Sequence, residues 1–316
     1  MMNNRFNKIT KNQFIQVLDN YNFGKIKSIE RLKKGYANQN FKIETDKTTL
    51  LFRVVKSSSL EKLENEIKIL QELQNANFPI PTIYKNIFGD FINKTEFGII
   101  VISHFIEGNE PEKNIENCKK ISALIAQLNM FHYSNKFYDI DNSYLEYCCN
   151  FVEKLNAQSN TDLFIFLQTE IELLKPTLSI PLPRGLIHSD VFTDNTLFEN
   201  GEVKALLDFE ACCIENLLLD VAISINGFCF INNRLRPDLF EAFVVEYNKY
   251  RPLTLQEKRV LPDYIIFGAL LLLSWRLEDL IKYGRKRDYK RIIFYMNRIK
   301  YLKVFNFKFL DYFELN

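Results

Sequence analysis

Charge of one sign is what this chain most conspicuously lacks: 41 lysines and arginines stand against 39 acids over 316 residues, a formal net charge of +2. Recognition of nucleic acid or anionic lipid by bulk electrostatics is therefore excluded. The six cysteines fall at 118, 148, 149, 212, 213 and 229 with no Cys-x-x-Cys, which excludes a zinc ribbon and a thioredoxin-like redox motif and leaves reduced thiols as the expectation. The three histidines have no metal-ligand spacing. The first residues, MMNNRFNKITKNQF, lack the apolar stretch of a secretory signal. The longest apolar run, Ile265 to Trp275, falls short of the roughly 20 residues that a bilayer demands, so a buried helix and a cytoplasmic, membrane-free protein are expected. There is no Gly-x-Gly, no Gly-x-x-x-x-Gly-Lys-Ser/Thr, no internal repeat and no low-complexity tract.

What remains is the composition of a folded globular protein, 47% hydrophobic and 25% charged. Its length favours two packed units over one very large core. After an N-terminal helical stretch, two β-rich runs from about Asn40 and Thr48 meet at a Thr45–Lys47 turn, predicting a hairpin entered through a loop at Gly35. Leu60, Leu63, Ile67 and Leu70 recur at helical spacing behind a serine cap, predicting an amphipathic helix over 60–74. The run 97–102 has strand length, and the polar segment that follows marks the end of the first unit. Helices are expected from about 115, over 145–156 and over 161–175. Short strands at 186–188, 196–198 and 203–207 come next, with Asn200-Gly201 turning the last two into a hairpin at the edge of the helical unit. Everything after about 216 reads as helical.

The most informative stretch is GLIHSDVFTDNTLFENGEVKALLDFE, residues 185–210. It contains His188-x-Asp190-x-x-x-x-Asn195, the spacing of a kinase catalytic loop, and Asp208-Phe209 closes the hairpin. Antiparallel pairing is expected to return Asp208 to the neighbourhood of Asn195. One carboxylate and one amide oxygen are hard ligands suited to Mg²⁺ carried by a nucleotide, and Asp190 is left to accept a proton from an attacking hydroxyl. Aspartates and asparagines also occur as ordinary turn residues. Two carboxylates set beside the apolar runs 191–192 and 205–207 are better explained together by a metal and a proton-transfer role.

These motifs resemble the aminoglycoside-phosphotransferase and choline-kinase superfamily of small-molecule kinases, and within it most closely the bacterial homoserine kinases. The likeness covers nearly the whole chain. Gly35-Tyr-Ala-Asn-Gln-Asn-Phe41 resembles the phosphate-covering loop, and Leu128 to His132 the end of a helix closing on Leu-x-x-x-His. Arg184 to Phe198 resembles the catalytic loop, and Leu207 to Cys229, with Asp220-Val-Ala-Ile and Asn226-Gly-Phe-Cys, the metal segment and its following helix. Arg251-Pro-Leu-Thr-Leu-Gln-Glu257, Leu261-Pro262 and the run 269–277 resemble the C-terminal signature of homoserine kinases.

The resemblance implies an α+β, two-lobed protein-kinase-like fold, with a small antiparallel β-sheet lobe over 1–106 and a large, mainly helical lobe over 107–316. It implies transfer of the γ-phosphoryl of ATP to L-homoserine, a step of threonine biosynthesis, by a monomer or homodimer. Asp190 would be the base, Asn195 and Asp208 the Mg²⁺ ligands, and Asp220 a buried support for the catalytic loop. Gly35, Asn38 and Asn40 would offer donors to phosphate, and the backbone around Ser103 and Phe105 would meet adenine. Three departures stand out. The third strand carries Arg53 where many relatives have lysine, with Glu66 on the following helix as its expected partner. Glu210 follows a choline-kinase pattern. The run 269–273 has no arginine, which leaves Arg276 in that helix; Arg276, Arg234 or Arg236 is the candidate for a substrate carboxylate, and Glu210, Asp194 or Glu278 for an ammonium. Choline, ethanolamine, an aminoglycoside or a methylthio-sugar is the alternative acceptor, and a non-catalytic binding module the alternative class.

Overall fold

The computed structural model describes residues 9–32, 38–56, 59–133, 143–156, 162–284, 286–305 and 307; Gly35 lies outside them. The chain divides into two compact units. The first holds the described residues up to Asn109 together with Leu197–Glu199 and Val203–Glu210, and the second holds the rest.

In the first unit, α1 (Lys11–Leu18) precedes β1 (Ile26–Arg31), β2 (Gln39–Thr45) and β3 (Thr49–Val55), then α2 (Leu60–Asn75), β4 (Ile92–Thr95) and β5 (Gly98–His104). The five strands form one antiparallel sheet in the order β1-β2-β3-β5-β4. Alternation along β2 and β3 sends Phe41, Ile43, Leu50, Phe52 and Val54 into a core closed by Phe14, Val17 and Leu18 of α1. The Phe14 ring stands edge-on to Phe41 and Phe52 at 5.0 and 4.9 Å. Ser59 caps α2, whose buried stripe is Leu63, Ile67, Leu70 and Leu73.

The second unit contains α3 (Ile115–Asn129), α4 (Tyr144–Asn156), α5 (Asp162–Leu178), β6 (Arg184–Ile187), β9 (Cys213–Asn216), α6 (Leu217–Phe228), α7 (Pro237–Tyr250), α8 (Leu255–Tyr283) and α9 (Lys286–Val304). Strands β7 (Thr196–Glu199) and β8 (Glu202–Leu206) form the hairpin predicted at Asn200-Gly201. The hairpin was expected at the edge of the helical unit, but its inner residues belong to the first. Phe198 bridges Asn109 and the Leu206 N–H donates to the Pro79 carbonyl at 2.8 Å, so backbone pairing draws it there.

The region after 216 is not wholly helical. A two-residue ribbon, β10 (Phe230–Ile231) with β11 (Arg234–Leu235), turns at Asn232 and Asn233, both with positive φ. All of α6 is buried. The 265–275 run sits inside a 29-residue helix, α8, opened by a capping box of Thr254 and Glu257. By length and hydropathy α8 could cross a bilayer, yet 78% of its most apolar window is buried in the protein, where it packs on α5, α6 and α9. Arg298 fixes α9: its guanidinium donates to Asn233 Oδ1 at 2.8 Å and to the Asn226 carbonyl at 2.8 Å, and lies 4.0 Å from the Phe230 ring centroid.

Candidate active site

In the first unit the register of the sheet sets Arg53 directly opposite Asn40 on one side and Val101 on the other. Arg53 Nη1 donates to Glu66 Oε1 at 2.7 Å, and both side chains are largely buried. Burial works against the Arg53 charge, but Glu66, with Asp208 and Glu210 adding to it, more than offsets this and raises the arginine above its ordinary value. Asn38 Nδ2 donates to Glu210 Oε2 at 2.9 Å, and Asn38 Oδ1 accepts from the Lys56 N–H at 3.1 Å. Asn40 presents a buried Oδ1 without a partner. Sequence reasoning selected all of these residues, and the structure brings Asn38, Asn40, Arg53, Glu66, Asp208 and Glu210 into one polar cluster.

Asp208 adopts a left-handed backbone, φ 65°, unusual for a residue with a side chain. One face stays open to solvent, but surrounding protein restricts its hydration. That effect first, and the like charge of Glu210 second, push its carboxyl up to about 7. Arg53 and the Glu210 N–H pull the other way.

At the end of β5 the polar backbone is already engaged. The Ile102 carbonyl accepts from Tyr84, the His104 N–H donates to Thr82 and the Phe105 N–H donates to Thr49, while Ser103 is buried and bridges Ile83. A base meeting this strand end would have to use groups other than these.

In the second unit β6, held to β9 by antiparallel pairing, leads straight into the catalytic-loop motif. His188 and Ser189 are fully buried, and Ser189 has φ 68°. The two N–H groups donate to the Asp220 carboxylate, His188 to Oδ2 at 3.1 Å and Ser189 to Oδ1 at 3.0 Å. Asp220, on the first turn of α6, is fully buried; burial pushes its carboxyl up to about 6 despite the hydrogen bonds from Ser189, His188 and Asn129. His188 Nδ1 accepts the Asp190 N–H at 3.2 Å, so its ring is a backbone brace. Asn195 Nδ2 donates to the Asp190 carbonyl at 2.9 Å and to Asp190 Oδ2 at 2.7 Å. With the amide nitrogen so engaged, Asn195 Oδ1 is the atom left to meet a cation.

Two residues that the sequence did not single out complete this arrangement. Asn129, the last residue of α3, donates from Nδ2 to Asp220 Oδ2 at 3.0 Å and accepts at Oδ1 from the Tyr247 hydroxyl at 2.7 Å. The nearby histidine of the Leu-x-x-x-His stretch, His132, is exposed instead. A lone asparagine at the end of an apolar helix carries no local signal of this kind. Gly227 of the Asn-Gly-Phe-Cys stretch has a steric role, since a Cβ there would lie 2.4 Å from the Val191 carbonyl oxygen. The 251–257 segment resolves into a buried pair, Arg251 Nη2 to Glu257 Oε1 at 2.7 Å, beside the Tyr247 ring.

Of the acceptor candidates, Asp194 is exposed on the turn before Asn195. Glu210 is held by Asn38. Arg276 lies on α8 with Nη1 3.8 Å from Asp279 Oδ2 and a shielded Nε without a partner.

The chain is similar to several known proteins. The homoserine kinase of Methylobacillus flagellatus is 25% identical over 278 residues, 87% of each chain. An amicoumacin kinase solved with AMP-PNP and Ca²⁺ superposes with a TM-score of 0.76 at 12% identity, covering 96% of this chain and 97% of that one. A microcompartment-associated aminopropanol kinase gives 0.71 at 18% identity, covering 95% and 98%. These likenesses show the α+β, protein-kinase-like fold. A family model described as the phosphotransferase enzyme family matches residues 28–253, most of the chain, and the protein therefore belongs to that family and is a phosphoryl-transferring enzyme.

Proposed function

We propose that the protein transfers the γ-phosphoryl group of ATP to the hydroxyl of L-homoserine, giving O-phospho-L-homoserine for threonine biosynthesis in the cytoplasm. The observation that carries this reading is the grip of Asn195 on Asp190, 2.7 Å from amide nitrogen to carboxylate, on a loop whose backbone is pinned by a buried aspartate. Such a carboxylate is oriented to take the proton of an alcohol, while the remaining work of phosphoryl transfer is positioning and neutralisation of charge.

The residues suit a nucleotide-borne Mg²⁺. Among the described residues no three His, Cys, Asp or Glu side chains gather into a resident metal centre. Asp208, by contrast, is a carboxyl pushed up to about 7 by restricted hydration and then by the like charge of Glu210, and Asn195 has an uncommitted amide oxygen. Asn195 and Asp208 would hold the ion, which when bound neutralises phosphate charge. Arg53, kept cationic by Glu66, binds phosphate oxygens with a planar fork rather than the point charge of a lysine. Asn38, Asn40 and the Gly35 loop contribute donors, and the Ser103–Phe105 strand end contacts the base. Arg276 meets the acceptor carboxylate, and Glu210 or Asp194 its ammonium.

Support for the acceptor comes from the homoserine kinase relatives and the 251–277 segment. Glu210 favours a second reading, an amino alcohol such as choline, ethanolamine or aminopropanol, which lacks the carboxylate. A coupled ADP-release assay over these acceptors decides between them. Turnover of L-homoserine above the others is expected; turnover of choline with none of homoserine would replace the acceptor and leave the phosphotransferase intact.

A further inference from the structure

We propose that Tyr247 and Asn129 act together as positioning residues for the Asp190 loop, fixing the direction of one side-chain amide so that the buried carboxylate of Asp220 can hold the loop backbone. This rests on the reading of Asp190 as the base.

One chain of hydrogen bonds inside the second unit links Tyr247 to the Asp190 loop. Asn129 faces Asp220 Oδ2 at 3.0 Å and the Leu186 carbonyl at 3.1 Å, two acceptors, and both need its Nδ2. A flipped amide would aim oxygen at oxygen twice. The opposite end is set by the Tyr247 hydroxyl, which donates to Asn129 Oδ1 at 2.7 Å. Burial holds that phenol protonated, well above its ordinary range, so it remains a donor. Tyr247 itself has little freedom: it is fully buried, and the Arg251 guanidinium, paired with Glu257, stands 5.8 Å from its ring centroid.

The far end of the chain is a loop under constraint. Ser189 has a left-handed backbone that a residue with a side chain adopts only when its surroundings impose it. The imposing contacts are the two N–H groups on Asp220, and the residue next in line is Asp190. Losing the Tyr247 hydroxyl leaves Asn129 Oδ1 buried and unpaired and frees the amide to rotate, which removes a donor from Asp220 and loosens the loop. Tyr247, Asn129, Asp220, His188 and Ser189 are bonded to one another and none is assigned to nucleotide or acceptor, so the effect belongs in turnover and not in binding.

The test uses the full-length protein and two independent readouts. In Tyr247→Phe, hydrogen exchange at the His188 and Ser189 amides is expected to accelerate about tenfold, the equivalent of one lost hydrogen bond, while amides of α8 keep wild-type rates. In steady-state kinetics kcat should fall about tenfold with KM for ATP and acceptor within about twofold of wild type. Adding Tyr247→Phe to Asn129→Ala should lower kcat no further, because the second change acts only through the first residue. Unchanged exchange at 188–189, a raised KM at constant kcat, or fully additive losses would overturn the proposal. If homoserine supports no turnover in the wild type, the acceptor assignment fails, and the exchange measurement alone decides the positioning role.

Discussion

At the scale of single residues, three carboxylates are assigned different tasks. Asp190→Asn keeps the shape of the side chain and removes its basicity; kcat is expected to fall by about three orders of magnitude while ATP affinity stays near wild type, measured by single-turnover kinetics and nucleotide titration. Undiminished kcat would remove Asp190 from the role. Glu66 is the counter-charge of a buried arginine, so Glu66→Ala is expected to cost about 3 kcal/mol in a denaturant titration, because Arg53 is left buried and unpaired. A loss below about 1 kcal/mol, the worth of a surface pair, would show that the pair is solvated. Asp220 titrates differently from a surface acid. Its native carboxyl is pushed up to about 6, whereas an unfolded one ionises near 4, so between those values the native state holds the extra proton. The stability this provides is complete below about pH 4 and is lost as pH rises through about 6. The melting-temperature advantage of wild type over Asp220→Asn should therefore shrink from pH 4 to pH 7, and a constant difference would contradict the assignment.

At the scale of elements, the loop that carries Asp190 is shaped as much by steric contact as by hydrogen bonds. Helix α6 passes so close to it that Gly227→Ala would set a Cβ 2.4 Å from the Val191 carbonyl oxygen, and backbone must move. Expected are a loss of about 2 kcal/mol in stability and a lower kcat, and a variant with both at wild-type values would show that α6 can shift freely. The sequence made much of this scale legible. Leucine spacing predicts α2, Asn200-Gly201 predicts the β7–β8 turn, and the place of Glu66 at the border of the buried face of α2 makes it the expected partner of Arg53, a contact that the structure forms. Strands β1 and β4 were not legible because they are the two edges of the sheet: β1 buries none of its residues fully and β4 buries only Asn93, so neither shows hydrophobic alternation. The β10–β11 ribbon did carry a signal, two adjacent asparagines able to take positive φ. Asn129 and Tyr247 carried none, since a buried polar contact between α3 and α7 depends on tertiary placement and not on local pattern.

At the scale of the whole molecule, the chain builds two cores. One is a small antiparallel sheet covered by α1, and the other is a helical body around the buried α6 and α8. The polar groups proposed for nucleotide phosphate belong to the first and the proposed base to the second. Phosphoryl transfer is proposed to end on the hydroxyl of L-homoserine. It is tested most directly by incubating the purified protein with Mg·ATP and L-homoserine and following the products by ³¹P NMR. The account predicts a phosphomonoester of homoserine formed in step with ADP and absent with Asp190→Asn; ADP released without that ester, or an ester formed equally well by the variant, would contradict it.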